Sequence, residues 1–192
     1  MNNSPNVLGI DFGTSGVRIA IINNENTILF TSSIIYPHGL YEPGDWQNCC
    51  TSLIKNIPIE LKKNIKAISI DGTSGTLLAC TPKGEPLGKA LPYNLQCIEQ
   101  REALLELFPN GGIASSISNS VAKALRLINE HGENILLRHQ ADWVKGWLLN
   151  NWRWGEEGNN LRLGWNLKKE AWPENYSQLP FSKGLPEIVR SG

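Results

Sequence analysis

Short apolar runs separated by turn residues fill the first third of the chain, and the period then changes. Val7 to Asp11 is apolar and ends in an acid, Gly13 to Gly16 reads as a turn, and Val17 to Ile22 is apolar again. Asn23-Asn24-Glu25-Asn26 supplies a second turn before Thr27 to Ile35, a segment rich in β-branched residues. Three strands joined by tight turns predict an antiparallel meander. Trp46, Cys50, Leu53, Ile54 and Ile57 share one helical face, with Asp45 as the expected N-cap and Pro58 as the stop. Ile65 to Ile70 is a further apolar strand ending at Asp71, and Thr76 to Thr81 stays extended until Pro82-Lys83-Gly84 turns the chain. A right-handed crossover through the helix sets the fourth strand beside the first and parallel to it. The expectation is an α/β domain with a mixed five-stranded sheet in the order 3-2-1-4-5 and helices on both faces.

The second half reads as mainly helical. Val121, Ala124, Leu125 and Ile128 have helical spacing, with Ser118 or Asn119 as cap and Gly132 as stop. Trp143, Val144, Trp147 and Leu148 form a second stripe on a helix from about Ala141. From Asn150 onward the chain is polar and interrupted by Pro180 and Pro186, without the pattern of a completed terminal element. Six of the seven tryptophans fall between 143 and 172. Two readings of them stay open: a packed aromatic layer, or a surface on which sugar rings stack.

Composition narrows the function classes. With 18 Lys+Arg against 18 Asp+Glu, the 192 residues carry no excess positive charge to hold nucleic acid or an anionic membrane. The 41% hydrophobic content suits a packed core, and no apolar run approaches the ~18 residues of a membrane span. Met1 to Val7 lacks the basic and apolar regions of a secretory signal, so a cytoplasmic location is expected. Cys49, Cys50, Cys80 and Cys97 have no zinc-site spacing and read as buried, reduced thiols.

The chemistry lies in an internal echo. Gly9-Ile10-Asp11-Phe12-Gly13-Thr14-Ser15-Gly16 is answered by Ser69-Ile70-Asp71-Gly72-Thr73-Ser74-Gly75, each an apolar strand, an acid and a Gly-Thr-Ser-Gly turn. If strands one and four are adjacent and parallel, two carboxylates and four hydroxyls reach one end of the sheet. Glycine turns let successive backbone N–H groups converge on an anion, and Thr and Ser hydroxyls add donors. An Asp in such a place suits a Mg²⁺ lying between it and the phosphates. The P-loop, G-x-G-x-x-G and G-x-S-x-G patterns do not fit these residues.

Gly9-Ile10-Asp11-Phe12-Gly13-Thr14-Ser15-Gly16-Val17-Arg18 resembles the first phosphate motif of the FGGY carbohydrate kinases, in the actin-like, RNase H-like superfamily. Ile70 to Thr76 resembles the family segment that reaches the sugar, and Pro92-Tyr93-Asn94 its Y-N-D block. Ala141-Asp142-Trp143, Asn159 and Leu161-Arg162-Leu163-Gly164-Trp165 resemble further family stretches. The wording is most similar to the branch acting on D-ribulose or D-xylulose.

The resemblance implies ATP-dependent phosphorylation of a primary sugar hydroxyl, with ATP and Mg²⁺ as cofactors. Asp11 would lie near the Mg²⁺ and the transferred phosphate. Gly13, Thr14, Ser15 and Gly16 would hold phosphate oxygens, and Ser74, Asp71, Asn94 and Asn159 would line the sugar pocket. Arg18 has two readings, a phosphate contact or a strand-face ion pair. Leu95 and Cys97 depart from the family's Asp and Arg, and Gly155-Glu156 from its Ser-Asp pair. The resemblance further implies that residues 1–192 are an N-terminal, sugar-binding lobe. The catalytic base would lie beyond Gly192, and the C-terminal nucleotide lobe would be missing or supplied by a complementing chain. The alternative is a sugar-binding or regulatory fragment without catalysis.

Overall fold

The computed structural model describes residues 5–191, and the chain divides into two compact units, one ending at Thr73 and the other starting at Ser74. In the first unit β1 (Asn6–Phe12), β2 (Gly16–Ile22) and β3 (Ile28–Ile35) form the expected antiparallel meander. Helix α1 (Pro43–Asn56) and the single turn α2 (Ile59–Lys62) lead to β4 (Ile65–Gly72), which pairs with β1 in parallel. The alternation of apolar and small or polar residues decides which face is covered. Leu8, Ile10 and Phe12 of β1 lie opposite Ile21, Ile19 and Val17 of β2, and all six are buried. Helix α1 packs on β2 and β3 with Trp46, Cys50 and Leu53 buried.

Asp45 is not the N-cap of α1. Glu42 holds that position, followed by Pro43, whose fixed φ and missing N–H suit the first turn. The Asp45 carboxylate instead accepts hydrogen bonds from the backbone N–H of His38 at 2.7 Å and from its Nδ1 at 3.1 Å.

The sheet has four strands in the order 3-2-1-4. The expected fifth strand, β5 (Leu77–Cys80), pairs instead with β6 (Leu136–His139) in a separate two-stranded antiparallel ladder. The reason is visible in its side chains. All four β5 residues are at most 2% exposed, so this segment needs apolar cover on both faces. It gets that cover inside the second unit, where Leu77 and Ala79 share a core with Val121, Leu125 and Leu137. Of the helices expected on the main sheet, α1 packs against it within the first unit, on β2 and β3.

The second unit continues through α3 (Arg101–Leu107), α4 (Ser120–His131) and α5 (Gln140–Leu149). Asn119 caps α4, its side chain accepting from the Ser120 N–H, and Gly132 ends the helix at φ +80°. Past Asn150 the sequence pattern was too short-ranged to read. There β7 (Trp154–Glu156) pairs in parallel with β8 (Glu187–Val189), flanking the one-turn α6 (Glu157–Asn160). Trp143 on α5 is buried and donates to the Gly84 carbonyl, and past β7 the half-buried Trp165 and Trp172 pack ring on ring with the buried Tyr176 and Phe181. All four cysteines are free and buried. Among the described residues no helix is long and apolar enough to cross a membrane.

Candidate functional site

Strand register assembles the first half of the site. Ser33 of β3 lies opposite Arg18 of β2, Arg18 opposite Asp11 of β1, and Asp11 beside Asp71 of β4. Register partners point to the same face, so these four side chains form one polar row across the sheet. The next row on that face is Thr31, Ala20, Gly9 and Ser69. Gly9 and Ala20 have almost no side chain, which leaves a trough of about 710 Å³ lined by both rows.

Asp11 sits in that trough, its Oδ2 at 2.9 Å from Arg18 Nη2, with the carboxylate side chain 45% exposed. The strand-face reading of Arg18 therefore holds, and its guanidinium also lines the trough. Asp71 accepts at Oδ1 from the Gly72 N–H at 2.8 Å and is exposed. The hairpin turn closes with the Gly13 N–H donating to the Gly16 carbonyl at 3.0 Å, which puts Thr14 and Ser15 at the exposed tip. Among the described residues the backbone N–H groups of Thr14 and Ser15 meet no protein acceptor.

The glycines of this turn serve close approach and not a left-handed backbone, since neither Gly13 nor Gly16 has positive φ. A Cβ on Gly16 would stand 2.3 Å from the Ile34 carbonyl oxygen. In the second motif Thr73 is fastened to the end of β1, its N–H and Oγ1 both directed at the Phe12 carbonyl. The two echoing segments thus leave the sheet from neighbouring strand ends, as their pairing predicts.

The remaining predicted residues belong to the second unit. Ser74 opens it, and Gly75 follows with φ +81°, its Cβ position 3.6 Å from Tyr93 Cβ. Ser74 and Asn94 are both exposed, on neighbouring loops. No hydrogen bond joins Asn159 to either of them among the described residues. Asn159 gives its backbone N–H to Glu156 Oε2 at 2.8 Å, so Glu156 serves as the N-cap of α6.

Several buried polar groups have no signal in the sequence, Lys123 and His139 among them. Lys123 is fully buried, its Nζ donating to the Ser118 carbonyl at 2.5 Å and to the Tyr93 carbonyl at 3.3 Å. Burial pushes its ammonium down to about 8. His139 is also fully buried, with Nε2 2.9 Å from Ser120 Oγ, and burial, reinforced by the Lys123 charge, lowers it to about 3. Nearby, burial raises the Asp142 carboxyl despite Lys145, the Glu156 N–H and Asn160. A lysine on a helix normally signals the solvent face, so no local pattern marks Lys123 as pointing inward.

No family model matches the chain. Solved structures do resemble it in fold. A Plasmodium falciparum glycerol kinase with ADP superposes with a TM-score of 0.79 at 18% identity, covering 96% of this chain and 43% of that one. A Rhodospirillum rubrum xylulose kinase gives 0.77 at 17% identity, with coverage of 96% and 42%. A Lactobacillus acidophilus gluconate kinase gives 0.71 at 15% identity, with coverage of 97% and 42%. The chain spans about two fifths of the length of each. Nearly all of it therefore has the fold of a part of carbohydrate kinases, as the resemblance in its motifs implied.

Proposed function

We propose that this chain is the N-terminal, sugar-binding lobe of an ATP-dependent carbohydrate kinase acting on a ketopentose, D-ribulose or D-xylulose, at a primary hydroxyl. The observation that carries the reading is the Ser33–Arg18–Asp11–Asp71 row, topped by a turn with two hydroxyls and two unclaimed N–H groups. Phosphoryl transfer asks little covalent chemistry of the protein; it asks for positioning and for cancellation of charge. Thr14 and Ser15 donate to phosphate oxygens from side chain and backbone. Arg18, held in orientation by Asp11, adds a cation beside them.

The donor set suits Mg²⁺. Asp11 and Asp71 are adjacent carboxylates on one face, and no cluster of three His, Cys, Asp or Glu ligands occurs among the described residues. A transition metal asks for such a cluster, whereas Mg²⁺ commonly takes one or two carboxylates and completes its shell with water and phosphate. Asp11 is the residue that would hold it, with Asp71 beside it. When bound, the ion neutralises charge on the ATP phosphates. Ser74 and Asn94 on adjoining loops of the second unit offer a hydroxyl and an amide to sugar hydroxyls. The base that removes the sugar proton, and the adenosine pocket, are assigned to a second lobe in the same protein or in a complementing chain.

The test has two arms. Titration calorimetry of D-ribulose and D-xylulose against this chain should show saturable binding that Ser74→Ala weakens. The complete protein should form ADP with one of these sugars and lose that activity on Asp11→Ala. Neither binding nor turnover with any ketose would overturn the reading.

A further inference from the structure

We infer that a cavity in the second unit, centred on Arg138, is an anion site for a phosphate group, free or carried on a small phosphorylated sugar. The cavity measures about 680 Å³ and is walled by Lys83, Arg138, Arg153, Trp152, Asn151 and Glu187 among others. None of these residues belongs to the motifs described above.

Arg138 is the anchor. It is 2% exposed and lies on β6, and no carboxylate comes within ion-pair distance of it among the described residues. Its Nε donates to the Trp152 carbonyl at 2.5 Å, and Nη1 to the carbonyls of Leu137 and Gly184, both at 2.7 Å. Three bonds to fixed backbone lock the guanidinium plane. Nη2 then has no acceptor among the described residues, on a side chain that lines the cavity. Its hydrogen-bond partners are all neutral carbonyls, and the Asp142 carboxylate acts on it only from beyond ion-pair distance, so the buried charge is incompletely compensated, which is costly to keep. The two Nη2 hydrogens that remain can be donated to phosphate oxygens.

The rim supports the same sign. Lys83 stands exposed on the turn beside Pro82, and Arg153 reaches the mouth. Glu187 is the one acid among the lining residues, and both its oxygens are engaged by Arg153 at 2.5 and 2.6 Å. Three cations against one paired carboxylate leave the cavity net positive. Trp152, whose indole donates to the Trp143 carbonyl at 3.1 Å and packs against Gly84 and Gly146, and Asn151 complete the lining. The inference needs nothing from the first unit, so it stands or falls apart from the kinase reading.

The experiment is a titration of the labelled 192-residue chain with inorganic phosphate, and separately with D-xylulose 5-phosphate, followed by amide, arginine Nε–H and indole resonances. Saturable shifts at Arg138 Nε and the Trp152 indole, with the Trp46 indole unmoved, are expected. Equal affinities identify free phosphate as sufficient, and a tighter sugar phosphate shows that the rest of the lining contributes. Lys83→Ala should weaken binding several-fold, and Glu187→Gln should tighten it several-fold. Both changes lie at the exposed rim, so they report even where Arg138→Met fails to fold. Absence of saturable shifts at Trp152 and Arg138, or affinities indifferent to both rim variants, would overturn the site.

Discussion

Asp11 and Asp71 are register partners on two parallel strands that the sequence separates by 59 intervening residues, so two carboxylates project side by side from the same face of the sheet. Arg18 answers one of them at 2.9 Å, while Asp71 among the described residues has only the neighbouring Gly72 N–H. Like charges placed directly beside each other on a sheet cost roughly 0.2–1 kcal/mol. Such an arrangement serves a bound cation better than it serves the fold.

The first prediction separates those two roles. Asp71→Asn should leave the chain as stable or more stable, by up to about 1 kcal/mol. Asp11→Asn in the complete protein should lower kcat by about 100-fold or more, on the scale of losing one electrostatic contact to a transition state. Urea denaturation and steady-state kinetics read the two effects. A marked loss of stability in Asp71→Asn would mean that the carboxylate has a structural partner.

The turn after β1 gives the second. Gly16 meets the β3 backbone so closely that an added methyl would lie 2.3 Å from the Ile34 oxygen and 2.9 Å from the Ile35 Cα. Backbone cannot swing aside as a side chain can, so the strands must part. Gly16→Ala should cost about 1–3 kcal/mol, the usual range for overpacking. Gly13→Ala has 3.4 Å to the flexible Arg18 guanidinium and should cost far less. Equal midpoints for the two variants in chemical denaturation would contradict the close approach.

How much of this was legible depended on distance along the chain. The meander, the parallel fourth strand and the pairing of Asp11 with Asp71 followed from short-range pattern, because alternation and turn residues fix each strand and handedness then fixes the crossover. The fate of Leu77 to Cys80 did not. Four consecutive apolar residues signal burial without naming a partner, and the partner, Leu136 to His139, lies more than fifty residues further on. Lys123, Arg138 and His139 were missed for a related reason. Each is a charged or titratable residue with a hydrogen-bond partner far along the chain, which no local periodicity records.

His139 provides the third prediction. Its folded-state value of about 3 lies below the ordinary 6.5, so below pH 6.5 the unfolded chain binds a proton that the folded chain refuses. Stability is therefore full above pH 6.5 and falls as pH drops toward 3, with a limiting slope of about 1.4 kcal/mol per pH unit. Between pH 6 and about 5 most carboxylates are still ionised, so this histidine dominates the difference from a His139→Gln variant. Denaturation midpoints should converge between wild type and variant as pH falls. Parallel pH profiles would show that the imidazole is not sealed from water.

Lys123 supplies the fourth. Its ammonium ties the start of α4 to the loop carrying Tyr93 and Asn94, through the Ser118 and Tyr93 carbonyls. Burial holds it at about 8 against the ordinary 10.5, so from pH 8 to 10.5 the unfolded chain keeps a proton that the folded chain has released. Wild-type stability should rise through that window relative to Lys123→Met, by at most about 1.4 kcal/mol per pH unit. The same variant frees the Tyr93 carbonyl. Amide exchange at residues 93–97 should then quicken at pH 7, and the sugar titration should weaken more than a change in global stability accounts for. A variant with unaltered exchange in that loop would show that the lysine fills space there and does not position Asn94.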